Sequence, residues 1–335
     1  MEAPVTRPET IDKLRYAVDA GFTMLAGMQL DVFTPLKDGA ETAEEIAQTI
    51  GVSPARLRLL LYGLVAAGLL TEQDGRFSNT PEANQYLVKG NPLYMGNMGE
   101  LFAHRWTNLY PHTAESIRRA IPQAKVDFSN SPQEEVEAFL RRINRNTVAS
   151  AHALLKQFDF SSTRTLADVG CGGAGLALTM TKECPHIRAT AIDLPLVVPI
   201  AQKIVAEEGA RDRVQVLAAD LLSGPLPGSY DVVILRGVLQ CLAAEEARLA
   251  VRNIAAAVNP GGTIYIVAQI LDDSRLSPLE ALGYNLIFLN TFDAGQSYTE
   301  QKHRAWLSEA GFVDIERAKF LLPDRHGLMT ARKPN

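Results

Sequence analysis

At 335 residues the chain has room for about two domains, and 47% hydrophobic with 21% charged residues excludes a disordered or fibrous protein. A net charge of −5 gives the molecule no general attraction to nucleic acid or anionic membrane. No apolar run approaches bilayer length, residues 1–7 lack a signal-peptide core, and Cys171, Cys184 and Cys241 have no metal-ligand spacing; a cytoplasmic protein with reduced thiols and no metal is expected.

Apolar residues at helical spacing (Leu14, Val18, Phe22, Leu25) predict an amphipathic helix over residues 11–30. Thr42 then caps a helix that Gly51 stops, and Ser53-Pro54 opens a second one over 55–68. Gln73-Asp74-Gly75 turns a hairpin between 69–71 and 76–78, which completes a winged helix. As a binding module it would lay residues 53–68 in a DNA groove, but that helix is leucine-rich, with Arg56 and Arg58 its only cations. A phosphate-contacting face needs a denser set, so packing or dimerisation is the expected role.

Residues 91–156 read as mostly helical, interrupted near Pro111, Pro122 and Pro132. Met95, Met98, Phe102, Trp106 and Tyr110 recur at three or four residues, a stripe that packs a core or walls a substrate pocket; Trp106 is the substrate-binding candidate. His104 and His112 lie in the same region and are candidate bases, set against the commoner structural role of a lone histidine.

The stretch Thr165-Leu-Ala-Asp168-Val-Gly170-Cys-Gly172-Gly-Ala-Gly175 is a short buried strand that breaks into a glycine-rich turn and restarts as a helix. Glycines let backbone amides approach a ligand, and the new helix points its positive end at it. Strands and helices then alternate: strand 187–193, helix 198–208, strand 214–220, strand 230–236, helix 243–258, a turn at Asn259-Pro-Gly-Gly262 and strand 263–269. This succession predicts a doubly wound, largely parallel sheet with ligands outside the carboxyl ends of its strands. Helices over 279–292 and 298–310 and two closing strands, 311–316 and 328–332, complete the chain.

Asp193 stands roughly 20 residues beyond the loop, where an acid grips ribose hydroxyls of either NAD or S-adenosylmethionine. Three features separate the two. Asp168 beside the loop is awkward for a pyrophosphate and suits a cationic amino-acid ligand, Asp220 is placed to accept from an adenine amino group, and the two late strands fit a sheet with a reversed final strand.

With those residues in view, the chain resembles the class I S-adenosylmethionine-dependent methyltransferases, in particular the dimeric small-molecule O-methyltransferase family of plant phenolic and bacterial natural-product pathways. The resemblance covers nearly the whole chain. It implies a Rossmann-like seven-stranded methyltransferase sheet over 159–335, a mostly helical winged-helix dimerisation and substrate-capping domain over 1–158, a homodimer, and a small aromatic or polyketide-like acceptor. The family's Asp-Val-Gly-Gly-Gly-x-Gly loop is matched by Asp168-Val169-Gly170-Cys171-Gly172-Gly173-Ala174 followed by Gly175, so its third glycine is Ala174. By resemblance Asp168, Gly170 and Gly172 line the cofactor, Asp193 with Leu194 holds the ribose, Asp220 and Leu221 the adenine, and Arg236 lies beside the methionine moiety.

The family's usual stretch after the fourth strand is Lys/Arg-x-Val-Leu-His-Asp-Trp, whose histidine deprotonates a phenol; this chain reads Arg236-Gly237-Val238-Leu239-Gln240-Cys241-Leu242. A carboxamide orients a substrate but accepts no proton near neutral pH. Three accounts follow: another base serves, with His104, His112, His303 or Asp293 as candidates; the acceptor is already nucleophilic and Gln240 positions it, which includes C- or N-methylation; or the bound cofactor supports other chemistry. Asn285 and Asn290 interrupt an apolar helix and are candidate substrate contacts, although Asn290 and Asp293 also suit a helix end. His303 reads as a surface residue and His326 as a loop residue.

Overall fold

The computed structural model describes residues 7–125, 128, 130–318 and 327–335, in two compact units, Met1–Leu109 and Tyr110–Asn335. The first unit contains α1 (Glu9–Gln29), β1 (Glu41–Thr42), α2 (Ala43–Ile50), α3 (Pro54–Ala66), β2 (Leu70–Gln73), β3 (Arg76–Asn79), α4 (Pro81–Tyr86) and α5 (Asn97–His104). The punctuation predicted from sequence is present. Thr42 and Glu45 form a reciprocal capping box on α2, Gly51 ends it at φ +73°, and Asp74 and Gly75 turn the hairpin at φ +53° and +78°. Phe33, Ile46, Leu61, Leu64 and Phe77 fill the core of the winged helix.

Helix α1 is less buried than its pattern suggests. Leu25 and Gly27 are buried, whereas Ile11, Leu14, Val18 and Phe22 remain exposed and form an apolar stripe. Trp106 stacks on Phe102 with centroids 5.4 Å apart and meets the edge of Phe22 at 5.7 Å, so it braces α5 against α1.

The second unit contains α6 (Thr113–Arg119), α7 (Gln133–Gln157), β4 (Thr165–Val169), α8 (Gly175–Glu183), β5 (Arg188–Asp193), α9 (Val198–Glu207), β6 (Val214–Ala218), β7 (Tyr230–Arg236), α10 (Ala244–Ala255), β8 (Val258–Ala268), β9 (Ile270–Leu271), α11 (Leu279–Thr291), β10 (Tyr298–Thr299), α12 (Glu300–Glu309), β11 (Val313–Ala318) and β12 (Gly327–Arg332). Its seven-stranded sheet has the order β11-β12-β8-β7-β4-β5-β6. Strands β4 to β8 run parallel, and β12 is antiparallel to β8. The order reverses between β4 and β7, which opens a crevice at their carboxyl ends.

Three expectations need amending. Asn259-Pro-Gly-Gly262 is no separate turn: β8 begins at Val258, and the extra residues form a bulge where pairing with β7 shifts between Tyr230 and Val232. Gly261 supplies φ +73° there, and a Cβ on Gly262 would lie 2.8 Å from the Asp231 carbonyl oxygen, so backbone proximity explains both glycines. Helix α10 accordingly ends at Ala255, before that bulge, and does not reach Val258. His303 is buried at 1% exposure, because α12 turns it toward Tyr298 and Trp306 while Gln301 and Lys302 take the solvent face. His326 lies outside the described residues. The division drawn after residue 158 marks the start of the glycine-loop strand; by packing the chain divides at 109/110, with Ala151 and Leu154 of α7 in the core around β4 and α8.

Candidate cofactor and acceptor site

The glycine loop is fixed by its neighbours. Gly170 adopts φ +69°, its N–H donates to the Ile192 carbonyl at 2.8 Å, and a Cβ there would lie 2.3 Å from Val238 Cγ2. Gly172 follows at φ +52°. Ala174, where the resembled family has glycine, also takes a left-handed conformation, φ +57°, with its methyl wholly buried. That conformation costs a non-glycine residue about 1–2 kcal/mol, which burial of the methyl offsets by about 0.8 kcal/mol. Ala174→Gly should therefore shift the urea midpoint only slightly and leave cofactor affinity unchanged.

The N-terminus of α8 is already occupied by the protein itself. Asn144 of α7 accepts the Gly175 N–H through Oδ1 at 2.9 Å, and a Cβ on Gly175 would lie 2.2 Å from that oxygen. Asp168 Oδ2 accepts the Ala177 N–H at 3.1 Å. In a dinucleotide site those amides face the pyrophosphate. Here a carboxamide and a carboxylate have taken its place, and any phosphate would meet Asp168 and Asp193 as like charges. A nucleoside that carries positive charge fits this donor set, and a pyrophosphate does not.

Asp168 is 2% exposed, and burial drives its carboxyl up to about 7; the Ala177 N–H opposes the rise, Asp193 adds to it and Arg236 opposes it. Asp193 ends β5, accepting the Gly172 N–H through Oδ2 and the Leu194 N–H through Oδ1, each at 2.8 Å, and burial raises its pKa despite both bonds. Asp220 lies beyond β6, exposed, its oxygens accepting from Leu222 N–H and Ser223 Oγ at 2.9 Å each. Leu221 is anchored by the Asn253 Nδ2 bond to its carbonyl, 2.7 Å, and Leu194 is 44% exposed. Arg236 ends β7 and donates from Nε to Ser150 Oγ of α7 at 2.7 Å. The predicted cofactor residues therefore gather at the carboxyl edge of β4, β5, β6 and β7.

The Asp168 carboxyl sets a pH dependence. A cation beside it favours the ionised form, so below about pH 7 binding must first remove a proton. Affinity for S-adenosylmethionine should fall by up to about tenfold per pH unit below that point, and Asp168→Asn should flatten the profile. Calorimetric titration between pH 5 and 8 checks this (~3 units of range).

The candidate bases are dispersed. Asp293 is exposed and paired with Lys125 Nζ at 2.5 Å. His112 is exposed at the start of α6, and His104, in the first unit, has Nδ1 3.4 Å from Asn108 Nδ2. His303 donates from Nδ1 to the Thr299 carbonyl at 2.9 Å, its Nε2 has no partner among the described residues, and burial lowers its pKa to about 4. Because the unfolded chain protonates this histidine near 6.5 and the folded one only near 4, stability should be lost as pH falls through that window, by about 3 kcal/mol at most. His303→Phe should remove that drop in denaturant titrations run at successive pH values.

Among the substrate candidates, Asn285 Oδ1 accepts the Ser297 N–H at 2.7 Å. Asn290 is fully buried: Oδ1 accepts from Ser116 Oγ at 2.7 Å, and Nδ2 donates to Thr113 Oγ1 at 2.9 Å and the Leu286 carbonyl at 2.7 Å. Sequence reasoning missed Asn144, Ser150 and Val238, all in direct contact with the cofactor loop or Arg236. The available signal was the polar run Asn144, Thr147, Ser150 on one face of an otherwise apolar-faced helix.

Comparison with known proteins agrees with this geometry. A family model described as the O-methyltransferase domain matches residues 119–313, and an O-methyltransferase dimerisation domain matches 18–89. The 3-hydroxy-5-methyl-1-naphthoate 3-O-methyltransferase of Streptomyces sahachiroi is 29% identical, over 93% of this chain and 91% of its own length. The tetracenomycin polyketide synthesis 8-O-methyl transferase TcmO of Streptomyces glaucescens is 28% identical over 98% of both chains. Human N-acetylserotonin methyltransferase, solved in complex with S-adenosylmethionine, shares the fold with TM-score 0.75 and 23% identity, covering 100% of both chains. A glycine loop flanked by carboxylates, with the end of its helix capped by Asn144 and Asp168, on a sheet with a reversed last strand, thus has its family: the chain belongs to the S-adenosylmethionine-dependent O-methyltransferases.

Proposed function

We propose that this methyltransferase acts on a hydroxyl of a small aromatic, polyketide-type acceptor and works as a homodimer through its first unit. The observation that carries the cofactor side is the filling of the α8 N-terminus by Asn144 and Asp168, which leaves carboxylates facing a cationic nucleoside. The acceptor class is supported by the two Streptomyces relatives, whose names specify a naphthoate and a polyketide hydroxyl. When bound, S-adenosylmethionine supplies a methyl carbon activated by positively charged sulfur. In this reading Asp193 holds the ribose hydroxyls with Leu194 beside it, Asp220 and Leu221 take the adenine, and Asp168 and Arg236 attend the amino-acid end. Asn285 and Asn290 we assign to bracing α11, because their side chains are committed to Ser297, Ser116, Thr113 and Leu286. The cytoplasm is the setting we propose, consistent with three free cysteines.

The dimer reading rests on the matched dimerisation domain and on the stripe of Ile11, Leu14, Val18 and Phe22. Leu14→Glu with Val18→Glu should give a monomer by light scattering at micromolar protein, where the parent gives a dimer. DNA recognition by the winged helix is disfavoured further by Arg58, which is paired with Glu44. Methyl transfer to a hydroxynaphthoic acid, followed as S-adenosylhomocysteine released, tests the activity; cofactor binding without transfer to any aromatic hydroxyl would overturn the acceptor class.

A further inference from the structure

Gln240 lies just past β7 at 6% exposure, and its side-chain oxygen is committed: Oε1 accepts the Gln269 N–H at 2.9 Å, at the carboxyl end of β8. Its main-chain oxygen accepts the Gln296 N–H at 2.9 Å, and a Cβ on Gly295 would lie 2.7 Å from that same oxygen. A backbone N–H needs an acceptor, so the carboxamide is oriented with oxygen on Gln269 and nitrogen turned away. Nε2 donates to none of the described residues and lies 3.8 Å from where a Cβ on Gly237 would be. Gly237 turns at φ +71° directly after Arg236, so the donor stands at the strand end where the cofactor residues gather.

Among the described residues, Cys241, Tyr298 and His303 give this point no base near neutral pH, and the buried Asp168 carboxyl is committed to the Ala177 N–H. Burial drives the Cys241 thiol to about 12, with Sγ 3.2 Å from the Gly237 carbonyl. The Tyr298 hydroxyl donates to the Leu242 carbonyl at 2.6 Å, and burial raises its pKa. His303, against Tyr298, stays neutral with its pKa near 4, and Asp293 is exposed in its pair with Lys125. The site therefore offers a hydrogen-bond donor where proton removal would require an acceptor.

We propose that Gln240 Nε2 receives the acceptor's oxygen as an anion, so that the acceptor class is the acidic hydroxyl conjugated to a carbonyl, an enol or hydroxyquinone-type phenol, which arrives already deprotonated. This rests on the aromatic-hydroxyl reading above. The proton passes to water before binding; in the transfer an oxygen lone pair forms the new O–C bond while the C–S electron pair stays with sulfur. A charge-assisted N–H···O⁻ bond is stronger than the N–H···O bond that a neutral hydroxyl would accept from the same donor, so Nε2 favours the anion.

Two probes test this: 2-hydroxy-1,4-naphthoquinone, coloured as its anion, and 2-naphthol, which holds its proton about as tightly as a tyrosine, near ~10. Binding to protein saturated with S-adenosylhomocysteine is read by absorbance, and methyl transfer by product release. With S-adenosylmethionine saturating at each pH, the hydroxyquinone should bind as the anion and show a kcat/KM flat between about pH 6 and 9, whereas 2-naphthol should be turned over slowly, its rate rising about tenfold per pH unit. Gln240→Glu keeps an oxygen for Gln269 and exchanges the donor for an acceptor. It should weaken hydroxyquinone binding at least about tenfold, leave S-adenosylhomocysteine affinity unchanged, and raise 2-naphthol turnover relative to the hydroxyquinone. Unchanged hydroxyquinone binding in Gln240→Glu, or a parental preference for 2-naphthol with an inflection independent of the acceptor, overturns the inference and leaves the aromatic-hydroxyl reading standing. Binding of neither probe to the loaded protein overturns both.

Discussion

Gly170→Ala should destabilise the second unit by about 2–5 kcal/mol and abolish measurable cofactor binding. Two independent effects add. A left-handed conformation at φ +69° costs an alanine about 1–2 kcal/mol, and a methyl forced 2.3 Å from Val238 Cγ2 overpacks a closed site by about 1–3 kcal/mol. The Gly170 N–H to Ile192 bond couples that displacement to β5, and so to Asp193. Urea titration read through a probe in the second unit gives the stability, and calorimetry with S-adenosylhomocysteine the binding. Combining Gly170→Ala with Val238→Ala should recover about 1 kcal/mol of the clash while leaving the conformational part in place. Full additivity of the two changes would show that Val238 is not what Gly170 makes room for.

Asp193→Ala should weaken S-adenosylmethionine and S-adenosylhomocysteine binding by about a hundredfold or more. Hydrogen bonds to a charged acceptor contribute about 1.5–3 kcal/mol each, and the carboxylate proposed to hold the ribose also orders the Gly172 and Leu194 amides. Asp193→Asn retains one acceptor oxygen and should fall between the two. Both ligands should lose affinity equally, because the difference between them lies at the sulfur. A change under threefold in the alanine variant would remove Asp193 from the cofactor site and, with it, the ribose assignment.

The fold was legible wherever local chemistry decides. Thr42, Gly51 and Asp74-Gly75 mark their caps and turn through side-chain and backbone geometry alone, and the strand-helix alternation from Thr165 onward carries the parallel sheet. The placement of Asp168, Asp193 and Arg236 at strand ends was legible for the same reason, since the pattern itself locates those ends. What escaped was long-range. That Asn144 would reach Gly175, Ser150 reach Arg236, or Gln240 reach Gln269 depends on packing between segments far apart in sequence. His303 failed differently: its charged neighbours describe the opposite face of α12, and one turn of helix separates solvent from core. The Asn259-Pro-Gly-Gly262 segment carried every sign of a turn, and a bulge uses the same residues.

Helix α7 also decides how the protein can be cut. A fragment that began at the glycine-loop strand would keep every residue of the recognised cofactor motif, yet it would remove Ala151 and Leu154 from the core they share with Leu176 and Ala177 of α8. It would free the Gly175 amide from Asn144 and strip Arg236 of Ser150. An anion would then find an open helix end where the intact chain has none. The smallest transplantable cofactor module therefore includes Gln133–Gln157, and a chimera joined downstream of it would inherit the motif without its preference for a cation.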